Sequence, residues 1–182
     1  MKRIIERLRA SPRPTATISV HPPPVSAADA GLLLLRSIGL LLAGHGAQKL
    51  FGLFGGHGLS ATGKGFEALG YHPGTLFAGV AGASEMLGGL GLAAGLLTPL
   101  AAATVIGVMI NAMVVTSARG LWETEGGMEY PLCIALVALA LAAIGPGRFA
   151  LDRPFRWGSG GWYEATVALG LGGIGAAIVL SL

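Results

Sequence analysis

Polar side chains that are costly in hydrocarbon stand inside long apolar stretches of this sequence: Arg36, His45, Gln48 and Lys49 in the first, Glu85 in the second, Asn111 in the third, and Glu129 opening the fourth. A charge at the centre of a membrane span costs roughly 2.5–3.5 kcal/mol on insertion scales, so such residues pair, face a cavity or serve a reaction. His45, Gln48 and Lys49 are spaced i, i+3 and i+4 and share a helical face. Arg36, nine residues earlier, lies about 180° round the helix and is expected to snorkel toward the headgroups on its own side. With helices running in alternating directions, His45, Lys49, Glu85, Asn111 and Glu129 fall at similar depth. The residues therefore predict one polar pocket that opens toward the outer face, with Glu85 deepest.

A histidine and a carboxylate together suit redox-coupled proton movement. Reducing a quinone takes two protons with two electrons; His45 would donate a hydrogen bond to a quinone carbonyl and Glu85 would exchange a proton. No electron carrier is visible. The single cysteine, Cys133, excludes an intramolecular disulfide, a Cys-x-x-Cys pair and a multi-cysteine zinc or iron–sulfur site. A metal site, which would have to join His45 with Glu85 or Glu129, is not expected, and His57 and His72 lie in a loop where a histidine is ordinarily solvated. Two glycine patterns, Gly170-x-Gly172-x-x-Gly175 and Gly89-x-Gly91-x-x-Ala94, match dinucleotide fingerprints by letter, but both lie inside apolar spans with no preceding strand. A structural alternative stays open, in which Glu85 pairs with His45 or Lys49 only to fix helix register.

The elements that carry these residues are membrane helices. Of 182 residues, 53% are hydrophobic and 12% charged, against roughly 25% charged in a soluble domain. Apolar segments at 31–51, 75–97, 100–118, 128–144 and 162–182 each approach the roughly 20 residues a span needs. The expected fold is an all-α polytopic helical bundle, with a four-helix core over 31–153 and a fifth C-terminal helix after a short linker, 154–182. The glycines of the last segment predict a loosely held helix. Thr98-Pro99 leaves room only for a tight hairpin between the second and third segments. In the glycine-rich connection 52–74, Phe66, Leu69 and Tyr71 mark a short interfacial element, and Trp122 is an interface anchor. Small residues four apart, as in Gly91-x-x-x-Gly95, Ala78-x-x-x-Gly82 and Ala168-x-x-x-Gly172-x-x-x-Ala176, predict close helix contacts.

Charge sets the expected orientation. The first 30 residues hold five of the twelve positive charges and five of the ten prolines, and read as a basic, mostly disordered cytosolic arm whose turn at 1–8 touches lipid. With the N-terminus inside, Lys2, Arg3, Arg7, Arg9, Arg13, Arg148, Arg153 and Arg156 share the cytoplasmic side, leaving Lys64 and Arg119 outside. Basic residues that flank an apolar region in this way indicate a lipid bilayer, not nucleic acid, as partner.

The string Arg36-x-x-Gly39, then His45-Gly46-x-Gln48-Lys49-Leu50-Phe51-Gly52, then Glu85-x-x-Gly88-Gly89 and Gly95-Leu96-Leu97-Thr98-Pro99, resembles the DoxX family of small bacterial integral membrane proteins. So do Gly127-Met128-Glu129-Tyr130-Pro131 and Gly145-Pro146-Gly147-Arg148-x-x-Leu151-Asp152; the ordered match covers roughly residues 30–153. The resemblance implies a four-helix membrane bundle in the bacterial plasma membrane, related to the membrane subunit of thiosulfate:quinone oxidoreductases. Carried over by position, its motif points to Arg36, His45, Lys49, Glu85 and Glu129. The expected assignment makes His45, Lys49, Glu85 and Glu129 reactive and has Arg36, Gln48 and Asn111 hold a quinone. The chain would be the integral subunit of a quinone-linked redox complex. Two other readings share these features: a non-catalytic scaffold whose basic residues recruit a soluble redox enzyme, and a small transporter.

Overall fold

Ser26 starts the first helix. Its Oγ accepts from the Asp29 N–H at 3.1 Å and the Asp29 carboxylate accepts from the Ser26 N–H at 2.9 Å, a reciprocal cap that fixes α1 as Ala27–Phe51. The computed structural model describes residues 24–182; the expected basic arm and its lipid-touching turn fall almost wholly outside the described residues. Gly52, at φ 70°, ends α1 by donating to the Gln48 carbonyl. A short helix, α2 (Gly58–Ala68), occupies the glycine-rich connection. It is followed by α3 (Gly74–Ala94), α4 (Thr98–Thr116), α5 (Glu129–Ile144) and α6 (Trp162–Ser181). Short 3₁₀ turns at Ser117–Arg119, Glu123–Glu125 and Arg156–Ser159 punctuate the longer loops.

Among the described residues, four helical stretches are long and apolar enough to cross a membrane: Ala27–Phe51, Gly74–Ala94, Thr98–Arg119 and Trp162–Ser181. Large apolar side chains cover the outside, Leu34 at 73% and Leu87 at 63% exposure among them. Water would not tolerate that surface and lipid does, so the chain is a multi-pass membrane protein. The short member is α5. Its 16 residues reach about 24 Å, less than the roughly 30 Å of a hydrocarbon core.

Glycine sets how closely α1 and α3 approach. A Cβ on Gly39 would strike the backbone of Gly89 and Ala93, and one on Gly46 would strike Gly82 and Met86. The paired numbers run in opposite senses, so the two helices are antiparallel. The α3–α4 turn is as tight as Thr98-Pro99 predicts: Gly95 takes φ 61°, Leu96 N–H returns to Gly91 O at 2.8 Å, and Pro99 lies in the first turn of α4.

The C-terminal helix packs on the face that the Ala168-x-x-x-Gly172-x-x-x-Ala176 spacing predicts and is not loosely held. Gly172 lies against α4, where a Cβ would meet Ala103 O at 2.7 Å and the Ile106 side chain at 2.9 Å, and Ala165, Ala168 and Ala176 are buried beside it. Its glycines serve packing on one face. Helix α4 is the hub, touching α3, α5 and α6, and the core gathers round it from Leu42, Leu92, Val105, Ile106, Ile134 and Leu141.

Candidate functional site

The polar residues separate into two ends of the bundle rather than one pocket. At the α3–α4 hairpin, Arg36 is only 3% exposed. Its Nε donates to Leu92 O at 3.1 Å, one terminal nitrogen to Ala93 O at 2.6 Å and the other to Pro146 O at 3.2 Å. Leu92 and Ala93 are among the last residues of α3, whose carbonyls have no partner within the helix, so the cation caps the negative end of a helix dipole. Arg36 therefore does not snorkel as expected, and it lies away from the residues it was grouped with.

Asp152 completes this end. Wholly buried, it accepts from Leu97 N–H at 2.7 Å, Thr98 N–H at 2.6 Å, Thr98 Oγ1 at 2.7 Å and the Trp157 indole at 3.0 Å. The carboxylate caps α4 at the positive end of its dipole. Burial alone would raise its pKa, but the donors from Thr98, Trp157 and Leu97 outweigh it and hold the carboxyl below its usual range. Leu151 N–H to Ala94 O and Asp152 N–H to Gly95 O tie the 145–161 loop to the hairpin. The sequence reading missed Asp152 as a working residue, although a lone acid beside Leu151 after a Gly-Pro-Gly turn was a usable signal.

At the other end, Lys49 of α1 and Glu85 of α3 form a salt bridge, Nζ to Oε2 at 2.5 Å, with side chains 27% and 8% exposed. They line a cavity of about 690 Å³ walled by α3, α4 and α6. Phe66, Leu69 and Tyr71, the expected interfacial element, border it, and the Tyr71 ring packs on Phe66 and Phe77. Asn111 faces the same space. Its Oδ1 accepts from the Tyr71 hydroxyl at 3.4 Å while its Nδ2 donates to Gly107 O at 3.0 Å in its own helix. Burial pushes the Tyr71 phenol up, which keeps it a donor. Glu85 Oε1 has no protein donor among the described residues and is not sealed away. The walls are otherwise mainly apolar, with the hydroxyl residues Ser84, Thr104 and Thr116 among them.

His45 and Gln48 do not join this cavity. They line a second, shallower groove of about 590 Å³ with Met86, Leu90, Phe54 and Tyr130. His45 Nε2 lies 3.4 Å from the Tyr130 hydroxyl, ring edge toward ring face, and Gln48 Nε2 donates to Phe54 O at 3.1 Å. The i to i+4 spacing rotates Lys49 only about 40° from His45. That step, added to the reach of the lysine stem, takes the ammonium to Glu85 and leaves the imidazole outside. Glu129 lines neither space: its carboxylate accepts from Glu123 N–H at 3.0 Å and closes the loop before α5. Of the expected set, the structure brings together Lys49, Glu85 and Asn111, and adds Tyr71.

No curated protein and no solved structure matches the chain. The DoxX family model matches residues 31–118, from α1 through α4, so that the Arg36 end of the hairpin, the Lys49–Glu85 pair and Asn111 all lie within the match while Glu129 and Asp152 lie beyond it. Through that region, a little under half of its length, the chain is similar to the DoxX family of membrane proteins.

Proposed function

We propose that this chain is the membrane subunit of a quinone-linked redox complex and that the Lys49–Glu85 cavity is where it meets the quinone. The observation that carries this reading is a half-buried ion pair, with one carboxylate oxygen given no protein donor among the described residues, that lines a mainly apolar cavity of about 690 Å³. A pair that served register alone would not require such a space. The lining fits the group: apolar walls for a hydrophobic ring, and N–H donors left on Lys49 for a carbonyl oxygen.

A bound quinone supplies the redox couple, taking up two electrons and two protons on reduction to the quinol. Lys49 holds a donor proton at Nζ and Glu85 an acceptor at Oε1, so the pair can deliver one proton toward the cavity and recover it from the other side. Tyr71 and Asn111 orient whatever polar edge reaches the upper part of the space. The buried Phe77 and the half-buried Phe66 pack on Tyr71 and limit water on that side of the cavity, which strengthens charge interactions inside. In this reading a soluble partner at the membrane surface provides the electrons.

The proposed orientation has α1 starting on the cytoplasmic face of the bacterial plasma membrane. Arg148 and Arg153 lie in the loop tied to the hairpin, at the end where α1 begins and Gly147 meets Leu32, and positive loops favour the inside. The same basic loop is the natural docking face for the partner. Glu85→Gln tests the assignment: quinol-linked turnover in membranes should fall at least about a hundredfold while the protein still inserts. Unchanged turnover would remove the cavity from the reaction.

A further inference from the structure

The cavity is a slot rather than a bowl. Along α4 it is lined from Thr116 to Leu100, about 24 Å of helix, with roughly 16 Å of that between Asn111 and Leu100. Lys49, Glu85, Tyr71 and Asn111 belong to the part of it from about Gly107 away from the hairpin, since Gly88 and Gly91 of α3 meet α4 at Thr104 and Ala101 and so set Glu85 near Gly107. Leu100, Ala103 and Thr104 carry it on for about 10 Å toward the hairpin. Leu100 and Leu171 at the rim are about half exposed, so the slot opens sideways to the bilayer. One lining position has no packing reason to be glycine: a Cβ on Gly175 would meet nothing within 4 Å, in contrast to Gly172 one turn away, which is pressed against α4.

The geometry points to a ligand with two parts, a polar ring held among Lys49, Glu85, Tyr71 and Asn111 and a single isoprenoid or alkyl chain laid along α4 in the slot between α3 and α6. This deepens the quinone reading and rests on it: the substrate class becomes the long-tailed, lipid-soluble quinones, entering sideways from the membrane with the tail bound by the protein and not left trailing in lipid. A tail that exchanges lipid for protein gains packing contacts and little hydrophobic free energy. The slot therefore acts mainly as a guide that fixes which way the ring faces.

The test uses the full-length protein in lipid nanodiscs with a quinone that carries a photoreactive diazirine at its tail end, and in parallel a fatty acid that carries the same group. The expected result is tail-end labelling of residues 100–108 of α4 and 171–179 of α6, which unlabelled long-tailed quinone competes away and tail-less quinone competes away less well. At Gly175 a Cβ enters open space, so Gly175→Leu places its side chain in the slot and should abolish labelling of 100–108 while the variant still binds tail-less quinone. Labels spread over the lipid-facing leucines 34, 41 and 87, equally in wild type and variant, would overturn the slot. Slot labelling by the fatty acid that no quinone displaces would keep a chain-binding slot and overturn the quinone reading, so the two failures are distinct.

Discussion

The two charged ends of this bundle use the same residue types and differ in what remains unsatisfied. At the hairpin, Arg36 is hydrogen-bonded to three carbonyls, and Asp152 meets four donors. Each charge stands at the helix terminus whose dipole it complements. At the opposite end, Lys49 and Glu85 have mainly each other, with a free carboxylate oxygen and a cavity beside them. A buried charge in a membrane is thus a weak guide to function by itself. The useful question is whether its hydrogen-bonding capacity is used up by backbone.

That contrast predicts opposite responses to substitution. The largest loss of stability belongs to Asp152→Ala, which strands buried N–H groups at the start of α4 and should cost about 3–5 kcal/mol in detergent unfolding. Arg36→Met should follow at about 2–4 kcal/mol, read by the same assay. In Glu85→Gln the amide oxygen still accepts from Lys49, so stability should fall by at most about 2 kcal/mol although turnover collapses. Equal destabilisation at Glu85 and Asp152 would erase the distinction between the ends.

Acid should act on the hairpin first. The Asp152 carboxyl lies below its ordinary value of 3.8 in the folded protein. Its contribution is therefore complete above that value and is lost as pH falls through the lower folded value. An unfolding midpoint followed from neutral pH downward should stay flat until this carboxyl protonates and then drop; Asp152→Asn should remove that part of the dependence. The smallest effect is expected for His45→Ala. Its groove is separate from the Glu85 cavity and its contact with Tyr130 is a long 3.4 Å, so turnover should change less than about tenfold. A collapse equal to that of Glu85→Gln would return the histidine to the reactive set.

Most of the architecture was legible because membrane helices are set by hydropathy and length. The apolar segments expected at 31–51, 75–97, 100–118, 128–144 and 162–182 differ from the helices by a few residues at the ends. The start of α1 was missed by four residues even though Ser26-x-x-Asp29 spells a capping box. Helix α2 was reduced to a short interfacial element because its glycines weaken the helical signal, whereas the packed face of α6 was legible from the four-residue spacing of Ala168, Gly172 and Ala176.

The site was less legible. Helical spacing ranked His45 beside Lys49, but 40° of rotation and the different lengths of the two side chains decide which cavity each enters. Depth in the membrane grouped Glu129 with the others, yet its carboxylate is engaged by a loop N–H that no spacing rule foresees. The role of Arg36 depends on where three carbonyls from distant segments end up, and sequence order cannot supply that.

The central claim is that the Lys49–Glu85 cavity, unlike the hairpin clamp, holds a quinone. The most direct test is native mass spectrometry of the protein released gently from its own membranes, wild type beside Glu85→Gln. The account predicts a quinone-sized adduct retained by wild type and lost from a folded, correctly inserted variant. An adduct absent from wild type, or held equally by both proteins, would contradict it and leave the ion pair a register contact of the kind the hairpin already displays.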